Sequence, residues 1–183
     1  MDHAATMRQF YESLEKMLSN VSELKYGLAR RLNRGAKDLF PTTHLRYRPE
    51  PGVASDGPTL VEIVGHAEAC RRLIDQALAA DLPEPVAKRI AEDERMFVYG
   101  ERTVGYYDAC ARAFHLGRAG RRDEAIEQYR EAKRIAGLLR QDTTSAANCY
   151  SGGPPNAFVA TNATGALEHL AKLLGPVMPD ADK

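Results

Sequence analysis

The segment from Val86 to Leu139 reads VAKRIAEDERMFVYGERTVGYYDACARAFHLGRAGRRDEAIEQYREAKRIAGLL. Its apolar residues recur at intervals of three, four and seven, which is the spacing of one face of an α-helix. The pattern breaks at Gly117–Gly120, where two glycines close together are typical of a turn. We therefore predict two long antiparallel helices joined at these four residues.

The first of these helices is expected to begin near Pro83 or Glu84, because proline is favoured in the first turn of a helix. Seven-residue spacing then defines an apolar stripe that should face the core. The stripe consists of Ile90, Phe97, Val104 and Ala111, flanked by Val86, Tyr107 and Phe114.

Two glycines interrupt this helix, at Gly100 and Gly105. A glycine inside a helix costs about 1 kcal/mol relative to alanine, so each requires an explanation. One explanation is the close approach of a neighbouring helix. The other is that Glu101 or Arg102 faces a partner or a ligand at this point.

The second helix is predicted from about Asp123 to Gln141. The carboxylates of Asp123 and Glu124 lie in its first turn, where they oppose the positive end of the helix dipole. Its apolar face is formed by Ala125, Tyr129, Ala132, Ala136 and Leu139.

Amphipathic patterns also precede this pair of helices. Residues 4–18 form one predicted helix, whose apolar side carries Met7, Phe10, Leu14 and Met17. A second starts near Asn20, and its stripe is Leu24, Leu28 and Leu32. A third begins after Thr59, because Thr59 followed by Glu62 matches a capping box. It is expected to reach about Ala80, with Leu60, Ile63, Ala67, Cys70, Ile74 and Ala77 on its buried side.

The last predicted helix is capped by Thr161 or Asn162 and stopped by Gly175 and Pro176. Its apolar residues are Ala163, Leu167, Leu170 and Leu174. The fold class expected from these patterns is all-α, an antiparallel bundle of about five helices. A long proline-rich loop at 36–58 interrupts it. One domain should cover residues 1–178, followed by a frayed tail at 179–183.

Charge and composition argue against some classes of function. The chain has 25 basic and 25 acidic residues, so its formal net charge is zero. This balance argues against a nucleic-acid partner. No apolar run approaches the roughly 18 to 20 residues of a membrane span, which argues against a membrane protein. Three widely spaced cysteines, Cys70, Cys110 and Cys149, fit buried thiols in a reducing compartment, and we expect a cytoplasmic protein.

Motifs of catalysis and of metal or phosphate binding are missing from the sequence. Glu62 and His66 lie one helical turn apart, but a metal site usually needs three or more protein ligands, so a surface pair is the better interpretation. The acidic run Glu92–Glu94 is interpreted as a solvated helix face. We therefore expect no cofactor and no metal, and name no catalytic residue.

Some segments resemble a known group of proteins. The segments that carry the resemblance are Met7–Glu12, Ala69–Leu78, Phe97–Val104 and Tyr107–Ala109. They are similar to the helical region that follows the catalytic barrel in large bacterial glycoside-hydrolase-like proteins, whose layout is related to α-glucuronidases and hexosaminidases. The resemblance implies an accessory domain or a free-standing relative. Since the catalytic carboxylates of such enzymes lie on the barrel, it implies no active-site residue in this chain.

Two functions follow as hypotheses. The leading one is a non-catalytic accessory or interaction domain, of the kind that accompanies a carbohydrate-active protein, and not an enzyme on its own. The alternative is a small-molecule-binding or enzymatic domain that recognises an acidic sugar or a phosphorylated metabolite, because arginine forks suit carboxylates and phosphates. Its loop at 36–58 would meet the turn at 148–158, and the candidate ligand-binding residues are His44, Arg46, Arg48, Tyr150 and Asn156.

Self-association is the last expectation. Tyr99, Tyr106 and Cys110 lie off the main apolar stripe of the first long helix. Either this helix is central in the bundle, or it offers a second face to another chain. Because two-fold homodimers are the commonest soluble oligomers, we predict a homodimer or a docking face for a catalytic partner domain.

Overall fold

The computed structural model describes residues 3–18, 59–144 and 157–175, and every regular element within these ranges is an α-helix. The all-α fold class is therefore confirmed. None of the helices in these ranges is both long enough and apolar enough to cross a bilayer. The helices are α1 (His3–Leu18), α2 (Leu60–Leu78), α3 (Glu84–Arg118), α4 (Arg122–Thr144) and α5 (Ala157–Leu174).

Several predicted features lie outside the described residues. They are the helix that starts near Asn20, the loop at 36–58, the turn predicted at 148–158 up to residue 156, and the tail at 179–183. The domain boundaries and the course of that loop therefore stay predictions.

Helix α3 is the centre of the fold. It spans 35 residues and contacts α2, α4 and α5. The stripe predicted from seven-residue spacing is buried, with Phe97 and Val104 only 2% and 1% exposed. Tyr106 and Cys110, which lie off that stripe, are also buried, and Tyr99 is partly buried against the core. Neighbouring helices of the same chain therefore cover the extra apolar residues. These residues no longer argue for a homodimer, which stays a prediction.

A three-residue connection, residues 119–121, joins α3 to α4. Helix α3 continues through Arg118, so two of the four residues predicted as the connection belong to the helix. Gly120 then adopts a φ of 74°, a left-handed conformation that glycine reaches without the steric penalty of a Cβ. The Arg121 N–H donates to the Leu116 carbonyl at 3.0 Å, which closes the end of α3. All five residues of the predicted apolar face of α4 are buried, from Ala125 to Leu139.

Helix α2 begins as the capping-box pattern predicts. The Glu62 N–H donates to Thr59 Oγ1 at 3.2 Å, and the Thr59 N–H donates to Glu62 Oε2 at 2.6 Å. These bonds satisfy backbone donors that a helix start otherwise leaves unpaired. The six predicted core residues of α2 are all buried.

Gly100 of α3 marks the close approach of α1. A Cβ at this position would lie 3.0 Å from Met17 Cε and 3.7 Å from Leu18 Cδ2. Nearby, the rings of Phe10 and Phe97 meet edge to face, with centroids 5.7 Å apart. The explanation of Gly100 by helix packing is therefore confirmed.

Two sequence predictions are wrong. Val86 was expected in the buried stripe, but it is 45% exposed, because residues 84–89 all lie on the surface and burial of α3 begins at Ile90. Helix α5 begins at Ala157, one turn before the predicted caps at Thr161 and Asn162. Threonine and asparagine cost only a few tenths of a kcal/mol more than average inside a helix, so their preference for caps does not stop the helix from extending.

Phe97 and Val86 provide a matched test of where α3 enters the core. We expect Phe97→Ala to lower the free energy of unfolding by about 3–5 kcal/mol, because it removes a fully buried ring and leaves a cavity. Val86→Ala should change it by less than about 0.5 kcal/mol. Urea denaturation followed by circular dichroism measures both. Similar losses in the two variants would contradict this placement of α3.

Candidate binding groove

None of the site residues predicted from the sequence lies in the described part of the chain. His44, Arg46, Arg48, Tyr150 and Asn156 all fall outside the described residues. Whether the loop at 36–58 meets the turn at 148–158 therefore stays a prediction.

The described helices form a different site, a groove of about 420 Å³ between α2 and α3. We call it the α2–α3 groove. Val64, Ala67 and Val104 supply apolar side chains to it, while Gly105 supplies none beyond its backbone. These small residues leave the space between the two helices open. The charged residues that line it are Glu68, Arg71, Arg72 and Glu101.

Arg71 holds one end of this groove together. Its Nε and Nη2 donate to the two carboxylate oxygens of Glu101 at 3.0 and 2.6 Å, which is a bidentate pair. Its Nη1 also contacts Asp75 and Glu94, each at 3.1 Å. The guanidinium lies over the Phe97 ring, 5.1 Å from its centroid. The hydrogen bond to Glu101 is the main reason that the pKa of Arg71 is raised, so Arg71 stays charged and fixes α2 against α3.

The acidic run at 92–94 is not simply a solvated face. Glu94 pairs with Arg71 of α2, and Asp93 accepts a 2.5 Å hydrogen bond from the Tyr11 hydroxyl of α1. That bond raises the pKa of Tyr11 to about 12. The interpretation from sequence holds only for Glu92, which is exposed. It failed because the partners lie on helices distant in sequence.

Asp108 of α3 does not line the groove, but its carboxylate is only partly paired. Its side chain is 16% exposed, and its Oδ2 accepts from Arg112 Nε at 2.8 Å. Its Oδ1 is buried and has no hydrogen-bond partner among the described residues. Burial raises the pKa of Asp108, and the charge of Glu68 adds to the effect, while Arg112 opposes it. The ionised carboxylate is therefore incompletely compensated.

The described thiols are buried and unreactive. Burial raises the pKa of Cys70 to about 11 and that of Cys110 to about 12, so neither forms a nucleophilic thiolate at neutral pH. Both are free cysteines, as predicted. Cys149 lies outside the described residues.

The described residues contain no group of three His, Cys, Asp or Glu side chains placed to hold a metal ion. Glu62, which the sequence pairs with His66, is engaged in the capping box of α2. Its carboxylate therefore has a structural role at this position.

Sequence analysis did not single out Arg71 or Asp108. The i,i+4 spacing of Arg71 and Asp75 was visible, as was that of Asp108 and Arg112. Such pairs are common on exposed helix faces, so the spacing alone does not distinguish them. For the glycines, the explanation that Glu101 or Arg102 faces a partner or a ligand stays a prediction. Glu101 faces Arg71 on the neighbouring helix of the same chain.

Comparisons with protein-family models, with curated proteins and with solved structures find no match to this chain.

Asp108→Asn tests the cost of the buried charge. The pKa of Asp108 is higher in the folded chain than the ordinary value of 3.8, so its contribution to stability is present at low pH and lost as pH rises through the folded pKa. Asparagine is neutral throughout. We expect the variant to unfold at a higher temperature than the parent chain at pH 7, and the difference to shrink toward pH 4. Thermal unfolding across this range measures it, and a constant or increasing difference on acidification would contradict the assignment.

Arg71→Lys tests the bidentate pair. Lysine keeps the charge but cannot donate in parallel to both oxygens of Glu101, so we expect a loss of about 1 kcal/mol of stability. Arg95→Lys is the control, since Arg95 is exposed on α3, and it should change stability by less than about 0.5 kcal/mol. Equal effects in chemical denaturation would show that the geometry of the Arg71 pair contributes nothing.

Proposed function

We propose that this chain is a non-catalytic helical interaction domain whose α2–α3 groove receives a segment of a partner protein. The observation that carries the proposal is the groove itself, with an apolar base and charged sides. Its volume of about 420 Å³ falls within the range of common ligand sites, and accommodates a few side chains. Interaction surfaces commonly combine an apolar centre with a polar rim.

The pairing of Glu101 and the protonation of the two described thiols support binding over bond cleavage. Both oxygens of Glu101 are held by Arg71, so this carboxylate is not available as a general base in this arrangement. The thiols of Cys70 and Cys110 are protonated at neutral pH, because burial raises their pKa. Arg71 and Glu101 therefore fix α2 against α3, and the two thiols belong to the buried core.

The wider role stays part of the proposal. The resemblance to helical regions that follow catalytic barrels supports an accessory domain of a carbohydrate-active protein. Under this proposal, the partner is a catalytic domain or a second copy of the chain, and two buried thiols are compatible with a cytoplasmic location. The alternative site for an acidic sugar or phosphate rests on residues outside the described ranges.

Peptide selection on the purified chain tests the interaction function. From a random peptide library we expect peptides that bind the parent chain and lose binding to Val64→Phe, which places a larger side chain in the groove. Val64→Glu, which places a charge at its base, should have the same effect. Val61→Phe is the matched control, because Val61 lies on the same helix, is 48% exposed and does not line the groove. Circular dichroism should show that all three variants are folded.

Two outcomes would contradict the proposal. One is a selection that yields no peptide sensitive to the groove-filling variants. The other is robust turnover by the purified chain in a screen of glycosides and common esters, which would make it an enzyme.

A further inference from the structure

We propose that the segment received at the α2–α3 groove is helix α2 of a second copy of this chain. The second helix lies antiparallel to the first across the mouth of the groove, so that Glu68 of each copy pairs with Arg72 of the other. The inference rests on the proposed interaction function and identifies the partner, which makes the assembly a two-fold homodimer.

Glu68 and Arg72 are exposed charged residues that line the groove from α2. They are four residues apart, a spacing at which glutamate and arginine can pair on one helix. Nevertheless, neither forms an ion pair or a hydrogen bond with another residue of the described ranges. The other two charged residues of the groove, Arg71 and Glu101, are paired with each other. A complementary partner therefore presents one basic and one acidic residue to Glu68 and Arg72.

Helix α2 itself has this pattern when it is read in the opposite direction. Successive residues of a helix are about 100° apart, so Glu68 and Arg72 lie about 160° to either side of Cys70, which is buried. They therefore flank the middle of the exposed face of α2. A two-fold axis through this point brings Arg72 of the second copy to Glu68 and, by symmetry, Glu68 of the second copy to Arg72.

The charges also decide between the two possible directions of the second helix. In a parallel pair, Glu68 would meet Glu68 of the second copy, and Arg72 would meet Arg72. Like charges placed together across an interface oppose association. The antiparallel pair replaces both repulsions by attractions, so it is the arrangement that we infer.

Gly65 provides room for a close approach at this face. Glycine inside a helix is less favourable than alanine. A Cβ at Gly100, Gly105 or Gly117 would meet a side chain of a neighbouring helix, whereas a Cβ at Gly65 would meet no atom within 4 Å. Gly65 is exposed and lies one helical turn before Glu68. Packing within the chain does not account for this glycine, but a helix of the second copy does.

The ion pairs set the orientation of the dimer more than its affinity, because exposed pairs are individually weak. Affinity comes instead from covering the apolar base of the groove and from close packing at Gly65. Val64, Ala67 and Val104 form that base. Since each copy has one groove, the two-fold arrangement covers this apolar surface twice.

Charge reversal tests the pairing across the two-fold axis. Glu68→Arg would bring arginines together and Arg72→Glu would bring glutamates together, so each variant alone should dimerise at least about tenfold more weakly than the parent chain. A mixture of the two variants should form a heterodimer, because every contact then joins opposite charges again. Sedimentation velocity over a concentration series measures these equilibria. Glu127→Arg and Arg130→Glu are the controls, since both residues are exposed on α4, and the dimer should persist in each.

A second pair of variants tests the close approach. Gly65→Leu places a large side chain between the two copies and should abolish the dimer. Gly137→Leu is the matched control on α4, because a Cβ at Gly137 also meets no atom within 4 Å, and it should leave the dimer intact. Circular dichroism should show that both variants keep the helical content of the parent chain.

The outcomes separate this inference from the interaction function. A monomeric parent chain would overturn the inference, as would a dimer that is unchanged by Glu68→Arg and by Gly65→Leu. A mixture of Glu68→Arg and Arg72→Glu that stays monomeric would overturn it as well. Library peptides that bind the groove of a monomeric chain would leave the interaction function standing, whereas the absence of both peptides and dimer would contradict both proposals.

Discussion

Burial of helix α3 on several sides is the constraint on which the rest of the structure depends. A helix of 35 residues is about 50 Å long, and one with apolar side chains around most of its circumference is stable in water only when other elements cover it. Helices α2, α4 and α5 supply that cover. Small residues make it possible, because Ala109, Ala111 and Ala113 are fully buried where larger side chains would hold the neighbours apart.

The two halves of α3 use different interactions. Toward its C-terminal half the contacts are mainly apolar, and they include Phe114 and the alanine-rich face of α4. Toward its N-terminal half, polar bridges accompany the core, from Arg71 of α2 and from Tyr11 of α1. Single ion pairs near the surface add little stability. A bidentate guanidinium also fixes distance and orientation, so Arg71 contributes mainly by setting the position of α2.

The α2–α3 groove follows from this arrangement. Arg71 and Phe97 hold the two helices together at one end, while the small residues next to Gly105 leave space between them. The carboxylates of α3 are paired to different extents. Glu101 is paired at both oxygens, whereas Asp108 has one satisfied oxygen and one that is buried without a partner. The groove itself, with its apolar base and charged sides, has the physical properties of a binding site.

Local pattern was sufficient for the helices. Seven-residue spacing in α3, the capping box at Thr59 and the glycine at position 120 each act over less than two helical turns, so the sequence by itself determined these elements and most of their buried faces. The prediction from sequence was wrong at Val86, whose exposure depends on where neighbouring helices end. It was also wrong at Thr161, whose capping preference is weak. Only the tertiary structure decided the candidate site, because Arg71 and Glu101 are thirty residues apart in the sequence and meet only when α2 packs against α3. The energy of a charge depends on the groups brought near it and on the water removed from it, and neither is visible in the spacing of residues along one helix.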